Sequence, residues 1–106
     1  MVEIKRTPTE KGIKFTAVEK GEITAEIYGE IEEKTFHIKQ YGGDKYLFDG
    51  MVRAVINHAE HCGAEGAVID GSVADFLLML FGYRREIPSI SAFFETEQCQ
   101  GCANKH

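Results

Sequence analysis

The sequence predicts a single α+β domain in which helices cover one mixed β-sheet. Up to about residue 42, apolar and polar residues alternate as they do in strands with one buried face. From residue 47 the apolar positions recur at i, i+1, i+4 and i+5, the stripe of an amphipathic helix. Short apolar segments bounded by glycine follow, so helices and strands are interleaved in the second half. The predicted element order is β-β-β-β-α-β-α-β-β, in which antiparallel amino-terminal strands are followed by helical connections.

Four strands are predicted before the first helix. Residues 13–17 and 23–27 alternate around a turn at 19–22, which predicts a hairpin with one buried face. A second turn at 32–34 leads into a strand from Thr35 to Gln40, in which His37 faces solvent. A short strand from Val2 to Arg6 ends at Thr7-Pro8 and completes this half. The predicted buried positions of the hairpin are Ile13, Phe15, Ala17, Ile23, Ala25 and Ile27.

The first helix is predicted from Leu47 to Gly63. Gly63 follows the last apolar position and suits the left-handed residue that ends many helices. Residues 66–70 form a short apolar segment after a glycine, which indicates a buried central strand. The predicted apolar stripe of the helix consists of positions 47, 48, 51, 52, 55, 56, 59 and 62.

A second helix and two closing strands are predicted after residue 70. Ser72 is the expected N-cap, with Asp75 three residues later as an acidic variant of the capping box. Gly82 ends this helix. Strands at 83–87 and 90–95, separated by Pro88-Ser89, then complete the sheet.

Composition limits the possible functions. The 106 residues suffice for one domain, predicted at 1–97, followed by a polar, cysteine-containing tail at 98–106. The chain has 17 acidic and 12 basic residues and a net charge of −5, which argues against nucleic acid as a partner. The longest apolar run has six residues, too few for a membrane helix, and the amino end does not resemble a signal peptide. With an odd count of 3 cysteines, we expect a reducing, cytoplasmic location.

The element order resembles a trimmed and divergent GNAT-type N-acetyltransferase over about residues 13–96. The segment from Leu47 to Gly63, with Ala59 four residues before its end, resembles the cofactor-side helix of that family. Phe81-Gly82-Tyr83 resembles the close of its second helix. The resemblance implies a domain that binds acetyl-CoA or another acyl-CoA, with acyl transfer left open.

The family's phosphate loop, Q/R-x-x-G-x-G/A, is matched in part. Gln40 and Gly43 occupy positions one and four, whereas Lys45 stands at position six. Counting back from the helix end instead places the loop at 44–49, without the expected residues. Two acidic side chains there, Asp44 and Asp49, would repel a pyrophosphate.

The resemblance implies where a cofactor would lie, but it supplies no catalytic residue. Backbone groups from Ile38 to Gln40 would contact the pantetheine arm, and Gly42, Gly43 and Lys45 would contact the phosphates. The position of the family's general-acid tyrosine is Leu78 in this chain. The sequence also has no room for the helix pair that shapes the family's acceptor site.

The alternative prediction is a non-enzymatic zinc-binding module that interacts with a protein. Cys99 and Cys102 have the Cys-x-x-Cys spacing of tetrahedral zinc sites. His58 and Cys62, one helical turn apart, project together and would complete the ligand set. If the last strand pairs antiparallel with strand 66–70, the tail leaves the sheet beside this helix end. A redox role or no role for the cysteine pair remains open as well.

Overall fold

The computed structural model describes residues 2–93, which form one mixed six-stranded sheet with α-helices packed on it. The predicted α+β class is thereby confirmed. The residues at 90–93 are also helical. The elements are β1 (Val2–Pro8), β2 (Gly12–Glu19), β3 (Glu22–Glu32), β4 (Thr35–Gly43), a 3₁₀ turn (Lys45–Leu47), α1 (Phe48–His61), β5 (Gly66–Ile69), α2 (Asp75–Phe81) and β6 (Glu86–Ile87).

The strands lie in the sheet in chain order, from β1 to β6. Strands β1 to β4 form an antiparallel meander. Helix α1 then returns the chain so that β5 runs parallel to β4, and β6 pairs antiparallel with β5. Strand β5 pairs with Thr35–Ile38 of β4. Beyond Ile38, therefore, β4 has β3 on one side and no strand on the other among residues 2–93.

The core lies between α1, α2 and one face of the sheet. Phe48, the first residue of α1, is fully buried in this core. Its ring lies 4.9 Å from that of Tyr41, 5.8 Å from that of Tyr83 and 6.2 Å from that of Phe81, between ring centroids. These aromatic contacts join β4, α1 and the end of α2. They stabilise this packing because each ring buries a large apolar area. Both helices thus cover the same sheet face.

The opposite face of the sheet, here called the open face, carries polar side chains. Lys14, Tyr28, His37 and Lys39 alternate with the buried positions of their strands and are half-buried. The predicted solvent-facing position of His37 agrees with this pattern. An antiparallel sheet can expose one face to water in this way.

The turns and helix ends largely follow the prediction. The loop between β2 and β3 consists of Lys20 and Gly21, whose φ angles of 53° and 82° suit the two-residue hairpin turn. Gly63 and Gly82, with φ angles of 99° and 74°, follow α1 and α2 as left-handed residues. Among residues 2–93, no helix combines the length and apolar character needed to span a membrane.

The predicted burial of Ile23 is wrong. Ala17 pairs with Ala25 whereas Val18 pairs with Ile23, so Thr24 is an extra residue in β3. Because side chains alternate along a strand, one extra residue moves those before it to the other face. Ile23 is accordingly 62% exposed, whereas Ala25 is buried.

The second half of the chain also departs from the prediction. Helix α2 begins at Asp75 after an N-cap at Ala74 that makes no side-chain hydrogen bond, so Ser72 does not cap it. The predicted strand at 83–87 is reduced to β6, and residues 90–93 are helical instead of extended. Residues 94 and 95 of the strand predicted at 90–95 lie outside the described part of the chain.

Candidate functional site

The site predicted along β4 begins where this strand bulges. Ile38 pairs with Gly29 and Gln40 with Tyr28, so Lys39 is an extra residue between them. A bulge bends its strand and redirects the groups next to it. Because β5 has already ended at this level, the bent segment forms a free edge of the described sheet.

Two groups from the loop after β5 contact this edge. The backbone N–H of Asp70 donates to the carbonyl of Ile38 at 2.8 Å. The hydroxyl of Ser72 donates to the carbonyl of Lys39 at 2.5 Å. Ile38 has a fully buried side chain, so it could offer a ligand its backbone alone. The strand edge from Ile38 to Gln40 is the segment predicted to contact the pantetheine arm. Because of these contacts, its accessible part begins at Gln40.

A hollow of about 710 Å³, here called the open-face hollow, adjoins the bulge. Two predicted cofactor-binding residues, Gln40 and Gly42, line it. The sequence interpretation missed its other walls, although Lys14 and Tyr28 occupy the polar positions of the alternating pattern. The lining residues are Thr9, Lys14, Glu26, Ile27, Tyr28, Gln40, Tyr41, Gly42 and Ser72.

The open-face hollow has a mixed polar and apolar lining with a balanced charge. Its charged lining residues are Lys14 and Glu26, whose Nζ and Oε1 atoms lie 3.9 Å apart. The hydroxyl of Tyr28 donates to Oε2 of Glu30 at 2.7 Å, and this hydrogen bond raises the pKa of Tyr28. Such a lining suits an uncharged ligand with hydrogen-bonding groups.

The two predicted phosphate-binding glycines have different surroundings. A Cβ atom at Gly42 would meet no heavy atom within 4 Å, so this residue borders open space. A Cβ atom at Gly43 would lie 2.3 Å from the carbonyl oxygen of Thr24, so Gly43 is packed against β3. Gly43 is therefore a structural glycine, whereas Gly42 lines the hollow.

Lys45 and the acidic residues around it occupy the turn between β4 and α1. Oδ1 of Asp44 accepts the backbone N–H of Tyr46 at 2.8 Å. Oδ1 of Asp49, in the first turn of α1, accepts from Arg53 at 3.0 Å. The Lys45 ammonium lies 5.2 Å from the centroid of the Tyr46 ring.

Two tyrosines lie near these residues and are held by the fold. The hydroxyl of Tyr41 donates to the carbonyl of Asp44. Burial, aided by the Asp44 charge, raises the pKa of Tyr41 to about 12. Tyr83 donates to Oδ1 of Asp49 at 2.6 Å, with its ring packed on Phe48. Leu78, at the general-acid position that the resemblance implies, is buried in the core.

Two of the four predicted zinc ligands are adjacent. Sγ of Cys62 lies 3.5 Å from Nε2 of His58, which confirms that they project together from α1. His58 also contacts Arg6, Nδ1 to Nη1 at 3.3 Å, and the edge of the Phe15 ring. Burial, then the charges of Arg6 and His61, lower the pKa of His58. No group of three or more potential metal-binding side chains occurs within residues 2–93.

The route of the chain toward Cys99 and Cys102 agrees with the prediction in where it leaves the sheet and differs from it afterwards. It leaves the sheet beside the end of α1, because Ile90 donates to the Glu65 carbonyl at 2.9 Å. The helical segment then follows the flank of α1 that carries Glu60 and Arg53, contacted by Ser91 and Phe93. At about 100° per residue, His58 and Cys62 lie on the other flank.

Cys99 and Cys102 themselves lie outside the described residues. Five residues lie between Phe93 and Cys99, and an extended chain over these six steps reaches about 20 Å at most. Within residues 2–93 the structure brings together two of the four predicted ligands, His58 and Cys62.

No family model and no curated protein matches this chain. The features that bear on function are therefore the geometry of β4, the hollow beside it and the cysteine–histidine pair.

Proposed function

We propose that this protein binds an acyl thioester of the coenzyme A type in the open-face hollow. The observation that carries the proposal is the edge of β4 beyond Ile38. This segment lacks a neighbouring strand on one side within residues 2–93, and it borders a hollow of about 710 Å³. A free strand edge can bind an extended, amide-containing chain through backbone hydrogen bonds, and the pantetheine arm is such a chain.

The lining residues supply complementary roles. Gln40 offers an amide side chain to the arm, and Gly42 leaves the space in which the arm would lie. Ser72 lines the hollow and donates to the Lys39 carbonyl, so it holds the bulge beside the hollow. The resemblance to GNAT-type proteins, which suggested acetyl-CoA, stays a prediction, and the proposal assigns no catalytic residue.

Calorimetry with acetyl-CoA tests this proposal. Gly42→Leu should weaken binding by about tenfold or more, because its side chain would fill the hollow. Gly50→Leu is the matched control, since Gly50 also has open space around its missing Cβ but lies on α1. We expect Gly50→Leu to bind like the natural protein. The proposal would be refuted if neither acetyl-CoA nor acetyl-pantetheine gave binding heat at millimolar concentration. Equal binding by the two variants would also refute it.

A structural zinc site is a second proposal, supported by the 3.5 Å contact between Cys62 and His58. Cys99 and Cys102 would complete a closed set of three thiolates and one imidazole. Such thiols persist in a reducing compartment, which agrees with the proposed cytoplasmic location.

Metal analysis of protein purified without a histidine tag tests the zinc proposal. We expect one zinc per chain, lost in Cys62→Ser and Cys99→Ser. His61→Gln is the matched control, because His61 lies on the same helix but directs Nδ1 to the Asn57 carbonyl at 2.8 Å. Substoichiometric zinc in the natural protein would end this proposal.

A further inference from the structure

We infer that the site recognises the uncharged acyl-pantetheine arm and discriminates against a diphosphate, with Asp44 and Asp49 as the specificity-determining residues. This inference rests on the proposed function. It narrows the ligand class to thioesters whose arm carries no diphosphate at the β4–α1 turn.

The first observation is that backbone donors of this turn are used within the chain. The N–H of Asp44 donates to the Thr24 carbonyl at 2.9 Å, and that of Leu47 donates to the Asp44 carbonyl at 3.1 Å. The N–H of Tyr46 donates to the Asp44 carboxylate, and that of Phe48 donates to the Lys45 carbonyl. A phosphate needs free N–H groups of this kind at a helix start, and these four already have acceptors.

The second observation is the charge around the turn. The Asp44 carboxylate takes the position of an anion at the 3₁₀ turn, and Asp49 places a second carboxylate in the first turn of α1. Two nearby cations are already paired with carboxylates: Arg53 with Asp49 at 3.0 Å, and Lys39 with Asp70 at 3.9 Å. A diphosphate at this turn would therefore meet the Asp44 carboxylate, with Lys45 as a partial offset, and would have to compete with Asp49 for Arg53.

The third observation is that the hollow itself suits a neutral arm. Its charged lining residues, Lys14 and Glu26, are of opposite sign and lie near each other. Its other polar groups are hydroxyls and an amide, which can hydrogen-bond the two amides of a pantetheine arm.

Calorimetry with three probes tests the inference: S-acetyl-pantetheine, acetyl-CoA and adenosine 3′,5′-bisphosphate. We expect S-acetyl-pantetheine to bind at least as tightly as acetyl-CoA, and the bisphosphate not to bind. Raising the salt concentration from about 20 to about 300 mM shortens the Debye length to below 10 Å. Acetyl-CoA should then bind more tightly, because the repulsion is screened, while S-acetyl-pantetheine should change little.

Variants that remove a negative charge provide a second, independent test. Asp44→Asn retains an oxygen that can accept the Tyr46 N–H, so the turn should persist. Together with Asp49→Asn, it should tighten acetyl-CoA binding about fivefold to tenfold, with little effect on S-acetyl-pantetheine. Glu32→Gln, at the far end of β3, is the charge-matched control and should leave both affinities unchanged.

The outcomes separate the two proposals. Acetyl-CoA binding tenfold more tightly than S-acetyl-pantetheine, or weakening with salt, would overturn the inference while supporting the proposed function. Failure of both thioesters to bind would overturn the proposed function itself and the inference with it.

Discussion

Replacing Gly43 by alanine should destabilise the whole domain, although only one methyl group is added. The φ angle of Gly43 is 108°, a conformation that L-residues rarely adopt. The new Cβ would lie 2.3 Å from the Thr24 carbonyl oxygen and 2.6 Å from Cα of Ala25. Both are backbone atoms of β3 and cannot rotate away, so the end of the β3–β4 ladder must shift.

The size of the effect follows from these two terms. The positive φ costs an L-residue about 1–2 kcal/mol, and relieving the overlap costs roughly 1–3 kcal/mol. Together they predict a loss of about 2–5 kcal/mol from a total stability of about 5–15 kcal/mol. Gly42→Ala should change the free energy of unfolding by no more than about 0.5 kcal/mol, because no heavy atom lies within 4 Å of its Cβ position.

Urea unfolding followed by circular dichroism measures both variants. With a slope of about 1–1.5 kcal/mol/M for a chain of this size, the midpoint of Gly43→Ala should fall by at least about 1.3 M. Gly42→Ala, the neighbouring control, should unfold at nearly the same midpoint as the natural protein. A fall of less than about 0.5 M for Gly43→Ala, or equal falls for the two variants, would refute the argument.

Three further predictions concern titration and the loop after β5. Tyr41→Phe should remove the absorbance transition near pH 12, because burial and the Asp44 charge raise the pKa of Tyr41 to about 12; an unchanged titration curve would contradict this assignment. Folding lowers the pKa of His58, so the unfolded chain binds more protons below pH 6.5 and the free energy of unfolding should fall with acidification. His58→Gln should reduce this fall between about pH 7.5 and 5.5, measured by urea unfolding. Arg85→Met should lower the free energy of unfolding by about 2 kcal/mol, because the guanidinium donates to the carbonyls of Asp70 at 2.6 Å and Val73 at 2.9 Å. A thermal midpoint unchanged within error would show that these hydrogen bonds contribute nothing to stability.

The regular elements could be predicted because local patterns determine them. The predicted stripe is buried from Phe48 to Ala59, whereas Leu47 at one end is half-buried and Cys62 at the other is exposed. Glycines with positive φ follow both helices. The bulges could not be predicted, since the position of an extra residue depends on pairing with a distant strand. The helical segment at 90–93 also escaped prediction, because the short apolar run there suits a strand or a helix.

The candidate site was predictable only in part. The cysteine–histidine contact followed from helical spacing, which brings residues four apart together. The open-face hollow was not foreseen, because it joins side chains of three strands and two loops whose proximity is a property of the whole sheet. The different environments of Gly42 and Gly43 likewise depend on how closely β3 approaches β4, which adjacent residues in the sequence do not reveal.

The extra residue in β4 has a consequence for how this sequence can change by deletion. Removing Lys39 would leave Ile38 and Gln40 as neighbours opposite Gly29 and Tyr28, which are already neighbours in β3. All other side chains would keep their faces, because Ile38 and Tyr41 would then be two positions apart. Loss of one codon would thus yield a straighter strand with the same core. The chain could therefore gain or lose the bend beside the hollow without a new packing arrangement for the domain.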